Sequence, residues 1–337
     1  MREKLPRIGL VMGDAAGIGP EIVLKTLSEA RVYERCEPLV LGSHEVLSLA
    51  RQVIGSAQEL VSVPTADAIG RAPGQVRVLD CTVERSADLR WGVADACNGR
   101  NCMAAIRKAV DLAAAGSLDG VVLAPLNKEA MHLAGSPHAD EFGLLAELAG
   151  VPKVKAVVKW GDFYRSTVVG HVAFREILAR LTVDEIVATI GFLGRTIQRF
   201  GVARPQIGLA ALNPHAGEGG QFGDEEQTIL TPAIARARGK WPLKVTGPYP
   251  ADTIWHRAVG GPLDGIVYLY HDQGNIGMKA AAFGEATLIY AGLTFCVTSP
   301  GHGTAYDIAG QGRADHGNLV EAVDVAIEVW ARSAGML

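Results

Sequence analysis

The 337-residue chain contains no uninterrupted apolar stretch long enough to span a bilayer, and its first residues, MREKLPRIGLVMGD, lack the apolar core of a secretion signal. A cytoplasmic protein is the expectation. Clustered basic charge is also missing. The 32 Lys and Arg are dispersed along a chain of formal net charge −4, which leaves no electrostatic footprint for nucleic acid or an anionic membrane and favours small polar ligands. Cysteine is scarce and odd in number: Cys36, Cys81, Cys97, Cys102 and Cys296. Such a set reads as reduced thiols rather than a disulfide framework, and the CNGRNC spacing fits no common zinc knuckle. No G-x-G-x-x-G turn joins a strand to a helix with a distal acid, so a Rossmann dinucleotide site is not supported. The absence of a Walker loop and of a G-x-S-x-G elbow argues against kinase and hydrolase readings.

What is present is regular alternation. Apolar runs at 7–12, 38–42, 118–124, 154–160, 165–170, 206–212 and 265–270 read as strands, and segments of helical spacing separate many of them. Thr182 and Glu185 form a capping box before a helix whose Val183, Ile186, Val187, Ile190, Leu193 and Ile197 share one face. The βα alternation predicts an α/β protein with a mostly parallel sheet and helices on both faces, and the length allows two core-bearing lobes.

The stretch GIVYLYHDQGNIGMK (265–279) concentrates the chemistry. A buried strand ends at Tyr270; His271, Asp272 and Gln273 follow, Gly274 is expected to turn the backbone, and Lys279 comes eight residues after the histidine. His171 and His215 share this placement, each just past a predicted strand, in VVGH and LNPH. Parallel strands bring their carboxyl ends to one edge of a sheet, where ligands bind. Three imidazoles there suit a catalytic divalent cation, and Asp272 could orient one of them or bind substrate. Spacing alone leaves open whether these are ligands or ordinary loop histidines. Lys279 is the candidate acid-base group, with a solvated surface lysine as the alternative, and Lys128 in APLNKEA could meet an anionic group. The glycine-rich GHGTAYDIAGQG (301–312) could wrap backbone amides around a phosphate or be a set of plain turns.

Six motifs in collinear order, GDAAGIGPEI, APLNKEA, LNPHAGEGGQFGDEE, GPYPADT, YHDQGNIGMK and TSPGHGTAYDIAGQG, resemble the 4-hydroxythreonine-4-phosphate dehydrogenase family of vitamin B6 biosynthesis over nearly the whole chain. The resemblance implies an isocitrate/isopropylmalate dehydrogenase-like fold of two α/β/α lobes around a cleft. The first lobe would be residues 1–131 plus 308–337, and the second, with the histidines, 132–307. It implies homodimers whose active sites use both subunits. NAD or NADP would bind without a Rossmann fingerprint, at Gly301, His302, Gly303, Thr304 and Asp307, together with a divalent metal (Zn, Co, Ni, Mn or Mg). Carried over residue by residue, the metal ligands fall on His171, His215 and His271, and the catalytic groups on Lys279 and Asp272. The implied reaction is oxidation of a β-hydroxy acid followed by decarboxylation.

The substrate positions depart from the family pattern. His138-Ala139-Asp140 stands where His-Thr precedes an acid, Leu288 where the family has asparagine, and Val297 where it has arginine. A phosphate facing Leu and Val would cost roughly several kcal/mol. The expectation is therefore a substrate without phosphate, such as the cis-dihydrodiol carboxylates (terephthalate dihydrodiol type) oxidised by a subgroup of the family. The competing classes are a non-catalytic metabolite-binding protein on the same scaffold, disfavoured by Lys279 beside three histidines, and a hydrolytic metalloenzyme.

Overall fold

The computed structural model describes residues 5–68, 70–85, 88–281 and 285–336. The chain divides into two compact units, residues 1–154 with 292–337, and residues 155–291. The first unit contains β1 (Arg7–Val11), α1 (Gly19–Thr26), α2 (Ala30–Arg35), β2 (Glu37–Gly42), α3 (His44–Val53), β3 (Glu59–Ser62), β4 (Gln75–Asp80), α4 (Ala96–Ala114), β5 (Gly120–Leu123), α5 (Lys128–Leu133) and α6 (Glu141–Leu148). The second contains β6 (Lys155–Trp160), β7 (Phe163–Val169), α7 (Ile177–Arg180), α8 (Val183–Arg199), β8 (Gln206–Ala210), α9 (Thr231–Lys240), β9 (Lys244–Tyr249), α10 (Trp255–Ala258), β10 (Gly265–Tyr270), α11 (His271–Ala281) and β11 (Thr287–Ala291). The chain returns to the first unit with β12 (Cys296–Pro300) and α12 (Gly317–Ser333).

In the first unit the strands lie in the order β3-β4-β2-β1-β5-β12, all parallel. Such strands are covered on both faces, which is why β1 and β5 read as unbroken apolar runs and their central residues are fully buried. The β1-to-β2 and β4-to-β5 connections cross the sheet in opposite directions. Right-handed crossovers therefore place α1 and α4 on opposite faces. In the second unit the order is β11-β6-β7-β10-β8-β9. Here β6 runs antiparallel to both neighbours, β7 and β11, so the mostly parallel expectation holds with that one exception. By the same rule α8 and α9 cover one face and α10 and α11 the other. Phe163, Ile254, Ile266, Tyr268 and Met278 form the core under α10 and α11.

Residues 132–154 and 292–307, expected in the second lobe, lie with the first unit. Two contacts explain this. The α6 helix packs on α4, and β12 extends the parallel ladder beside β5 while Thr298 donates to the Ala322 carbonyl of α12 at 2.8 Å. No described helix is long and apolar enough to cross a membrane.

The capping signal before α8 is realised: the Glu185 backbone N–H donates to Thr182 Oγ1 at 3.2 Å. Thr182→Ala is expected to lower the unfolding free energy by ~1 kcal/mol and Thr182→Ser to restore it, as read from the urea midpoint. An unchanged midpoint in the alanine variant would show that the cap is energetically idle.

Candidate active site

The segment expected to turn at Gly274 instead continues directly from β10 into α11, with His271 as the first helical residue. The glycines serve packing rather than a turn. A Cβ at Gly274 would stand 2.8 Å from the Tyr268 ring, and one at Gly277 only 1.9 Å from the Trp255 indole nitrogen. Their bare backbones let α11 lie close on the sheet, which puts His271 at the carboxyl end of β10. Beneath the helix, Arg165 of β7 is 7% exposed and donates to Asn275 Oδ1, and Asn275 Nδ2 donates to the His271 carbonyl at 3.0 Å. Burial pushes the Arg165 guanidinium down to about 10.

His171, just past β7, and His271 come together with ring centroids 5.0 Å apart. They line an open cleft of about 500 Å³ with Gly170, Phe174, Tyr270 and Asp272. Asp272 Oδ1 is 2.7 Å from His271 Nδ1. An ionised carboxylate can only accept, so this contact places the ring proton on Nδ1 and leaves the Nε2 lone pair available. That is the arrangement of a metal-binding imidazole supported by a carboxylate. The chemistry of the donor pair fits two positions of a divalent cation site.

His215 is placed differently. It lies outside the lining of that cleft, in a left-handed run in which His215, Ala216 and Glu218 have φ of 53°, 58° and 42°. Non-glycine residues in this region cost ~1–2 kcal/mol each, so the loop has to be held from outside. Glu226 does this: its Oε1 accepts the Leu212 and Asn213 backbone N–H groups, both at 2.8 Å, and its Oε2 accepts Asn213 Nδ2 at 2.9 Å. Glu218 pairs with His215 Nδ1, again leaving Nε2 available, and the Phe222 ring meets the imidazole edge-on. Among the described residues, no three His, Cys, Asp or Glu side chains converge as a metal-binding group.

Other expected site residues have local duties. Lys279 lies on the exposed side of α11, roughly 12 Å along the axis from His271, and does not line the cleft. Asp140 caps α6 through Gly143 N, and His138 contacts Glu147 at 2.7 Å. Lys128 opens α5 and lies 4.0 Å from Glu141. Leu288 is half-buried in β11 opposite Val158. Val297 sits in β12 opposite Val121 and is 1% exposed. A position so enclosed in its own unit offers no surface to a ligand, so its apolar character follows from strand packing and is weak evidence about the substrate.

The 301–312 loop is seated on α1. Thr304 O accepts the Ile18 N–H at 3.0 Å, Glu21 accepts the Gly310 N–H at 2.6 Å, and Lys25 donates to the Gly312 and Ala314 carbonyls. Tyr306 donates to Asp14 at 2.9 Å. Burial raises the Asp14 carboxyl, an effect partly offset by hydrogen bonds from Ala16 and Tyr306. Gly301, Gly303 and Asp307 remain exposed, with His302 and Thr304 half-buried between them. Gln273, Glu226, Arg165 and Asn275 were assigned no role by the sequence patterns. Gln273 and Glu226 both lie inside quoted motifs, but nothing local to Glu226 signals its bonds to residues 13 and 14 positions earlier.

Burial raises the Glu226 carboxyl, but the hydrogen bonds from Asn213 and Leu212 outweigh it and hold the group below its ordinary value. A lowered folded value means that the stabilisation is present above the unfolded carboxylate range and is lost as pH falls through the folded value. Glu226→Gln is therefore expected to destabilise the protein by ~1–3 kcal/mol at pH 7, with the difference from wild type shrinking below about pH 4. Urea titrations at both pH values test this; an equal gap at both would rule out the charged form as the source.

Comparison with known proteins bears on the whole chain. Residues 34–326 match the family described as pyridoxal phosphate biosynthetic protein PdxA. A 4-hydroxythreonine-4-phosphate dehydrogenase of Desulfosudis oleivorans is 41% identical, covering 96% of each chain. A D-threonate 4-phosphate dehydrogenase of Cupriavidus necator is 36% identical over 99% of this chain and 100% of its own. The crystal structure of a terephthalate 1,2-cis-dihydrodiol dehydrogenase from Burkholderia xenovorans superposes with a TM-score of 0.65 at 27% identity, covering 96% of this chain and 98% of that one. The chain belongs to the PdxA family.

Proposed function

We propose that the protein is a divalent-metal- and NAD(P)-dependent dehydrogenase that oxidises the CH–OH group of a small β-hydroxy acid, with loss of CO2 from the β-keto acid. The observation that carries this reading is the His171–His271 pair, with Asp272 behind His271, at the carboxyl ends of β7 and β10 in a cleft of small-molecule size. A bound cation would supply Lewis acidity at the substrate hydroxyl, and the nicotinamide would accept the hydride. The chain's own residues do the rest. His271 offers an Nε2 lone pair beside the His171 imidazole, Asp272 fixes the His271 tautomer, and the seated 301–312 loop offers a preorganised surface to the nucleotide.

Lys279 is assigned proton exchange with the product. Neither it nor His215 lines the cleft of its own chain. This supports a homodimer in which each site is completed by the second subunit. Phe174 at 77%, Ile276 at 70% and Leu178 at 56% exposure put apolar surface on the elements beside the cleft, as an interface would require.

The substrate reading favours a 4-phosphorylated hydroxy acid of the threonine or threonate type, because the relatives so named are 36–41% identical over nearly full length. The half-buried Leu288 and the likeness to the terephthalate 1,2-cis-dihydrodiol dehydrogenase structure support a dihydrodiol carboxylate as the second reading. A steady-state panel following NAD(P)H absorbance is expected to show turnover with 4-phosphorylated acids, its loss after chelation, its return with Co2+, Zn2+ or Mn2+, and none in His271→Ala. Turnover confined to dihydrodiol carboxylates would overturn the phosphate assignment. Absence of cofactor reduction with every substrate of the panel, or turnover indifferent to chelation, would overturn the mechanism.

A further inference from the structure

The ladder between β8 and β10 stops early. Gly265, Ile266 and Val267 pair with Ile207, Gly208 and Leu209, and among the described residues no register continues beyond them. The next groups along these strands are nevertheless joined, by a side chain. Gln273 Oε1 accepts the Leu269 backbone N–H at 2.8 Å, and Gln273 Nε2 donates to the Ala211 carbonyl at 2.7 Å. One primary amide thus stands in for a peptide group between two strand ends. It reaches there only because α11 starts immediately after β10, which folds the third residue of the helix back over the strand.

The bridged positions lead to the histidines. Gln273 is two residues past His271 on the same helical turn. Ala211 is four residues before His215, and the backbone N–H groups of the intervening Leu212 and Asn213 are taken by Glu226. Ala211 itself donates its N–H to the Tyr249 carbonyl at 2.7 Å. The 211–213 backbone is therefore held on one side by β9, on another by Glu226, and toward α11 by Gln273. Without Gln273, the Leu269 N–H and the Ala211 carbonyl would each lose their partner at the point where the two strands separate.

We propose that Gln273 is a positioning residue that fixes the first turn of the His271 helix on the ends of β10 and β8, and through the placement of His271 the divalent-cation affinity of the protein. This rests on reading His271 as a ligand. The amide is suited to the task because it must donate and accept at once: the Leu269 N–H needs an acceptor, and the Ala211 carbonyl needs a donor. Leucine provides neither. Glutamate keeps the acceptor but turns a carboxylate oxygen toward the Ala211 carbonyl.

The full-length protein, stripped of metal, would be titrated with Co2+ while its visible absorption is followed, and amide hydrogen exchange would be recorded at Leu269 and across 211–215. Gln273→Leu is expected to weaken Co2+ binding by about 10- to 100-fold, the range for removing an outer support of a metal ligand, and to change the shape of the cobalt bands. Exchange at Leu269 should speed up while β6 and β7 keep their protection. Gln273→Glu, which keeps the Leu269 bond, should weaken Co2+ binding while leaving Leu269 protected; it also serves if the leucine variant does not fold. A lower melting temperature with wild-type Co2+ affinity and bands would reduce Gln273 to a stability role and overturn the proposal. Unchanged exchange at Leu269 in Gln273→Leu would overturn the bridge itself. Failure of the wild type to bind Co2+ would sink the histidine reading, and with it the affinity half of this proposal, while the exchange measurement would still judge the bridge.

Discussion

The close seating of α11 on β10 is the constraint from which the candidate site follows. A helix normally needs a connecting loop after a strand, and a loop would let His271 wander. Here the helix begins at the residue after the strand, and this is possible because Gly274 and Gly277 present bare backbone to Tyr268 and Trp255. Any side chain at Gly277 would meet the indole well inside contact distance and lift the helix. His271 would then move away from His171, whose position is set independently by β7.

That seating also creates a polar problem beneath the helix. Arg165 is buried on the α11 side of the sheet, and its Nε and the nearby Tyr268 hydroxyl have no hydrogen-bond partner among the described residues. A buried guanidinium is costly unless it is paired and hydrogen-bonded. Its hydrogen bond to Asn275, and that of Asn275 to the His271 carbonyl, anchor the first turns of α11 from below. Polar side chains thus replace regular ladder bonds at the place where the strands separate.

The two units use related devices for their glycine-rich loops. In the second, Glu226 holds the run at 212–218, whose left-handed residues would not persist unaided. In the first, Glu21 and Lys25 of α1 hold the 301–312 loop, and Asp14 and Tyr306 tie it to the first glycine turn. A buried acid reaching backbone amides recurs because loops at strand ends have lost their ladder partners, and buried N–H groups must be satisfied.

Periodicity by itself determined much of this protein. The strands at 7–12, 118–124, 206–212 and 265–270, the cap at Thr182, the α/β class and the strand-end placement of His171, His215 and His271 were all legible, because apolar runs and caps are local and parallel strands align their carboxyl ends. Local patterns failed where a glycine's purpose depends on a distant partner: Gly274 reads as a turn until Tyr268 is seen behind it. They also could not assign Gln273 or Glu226, whose bonds reach backbone 62 and 13–14 residues away, nor show that Val297 faces a sealed strand environment. Only the tertiary structure decided which two histidines meet within one chain, because that depends on β7 and β10 being neighbours while β8 lies one strand further on.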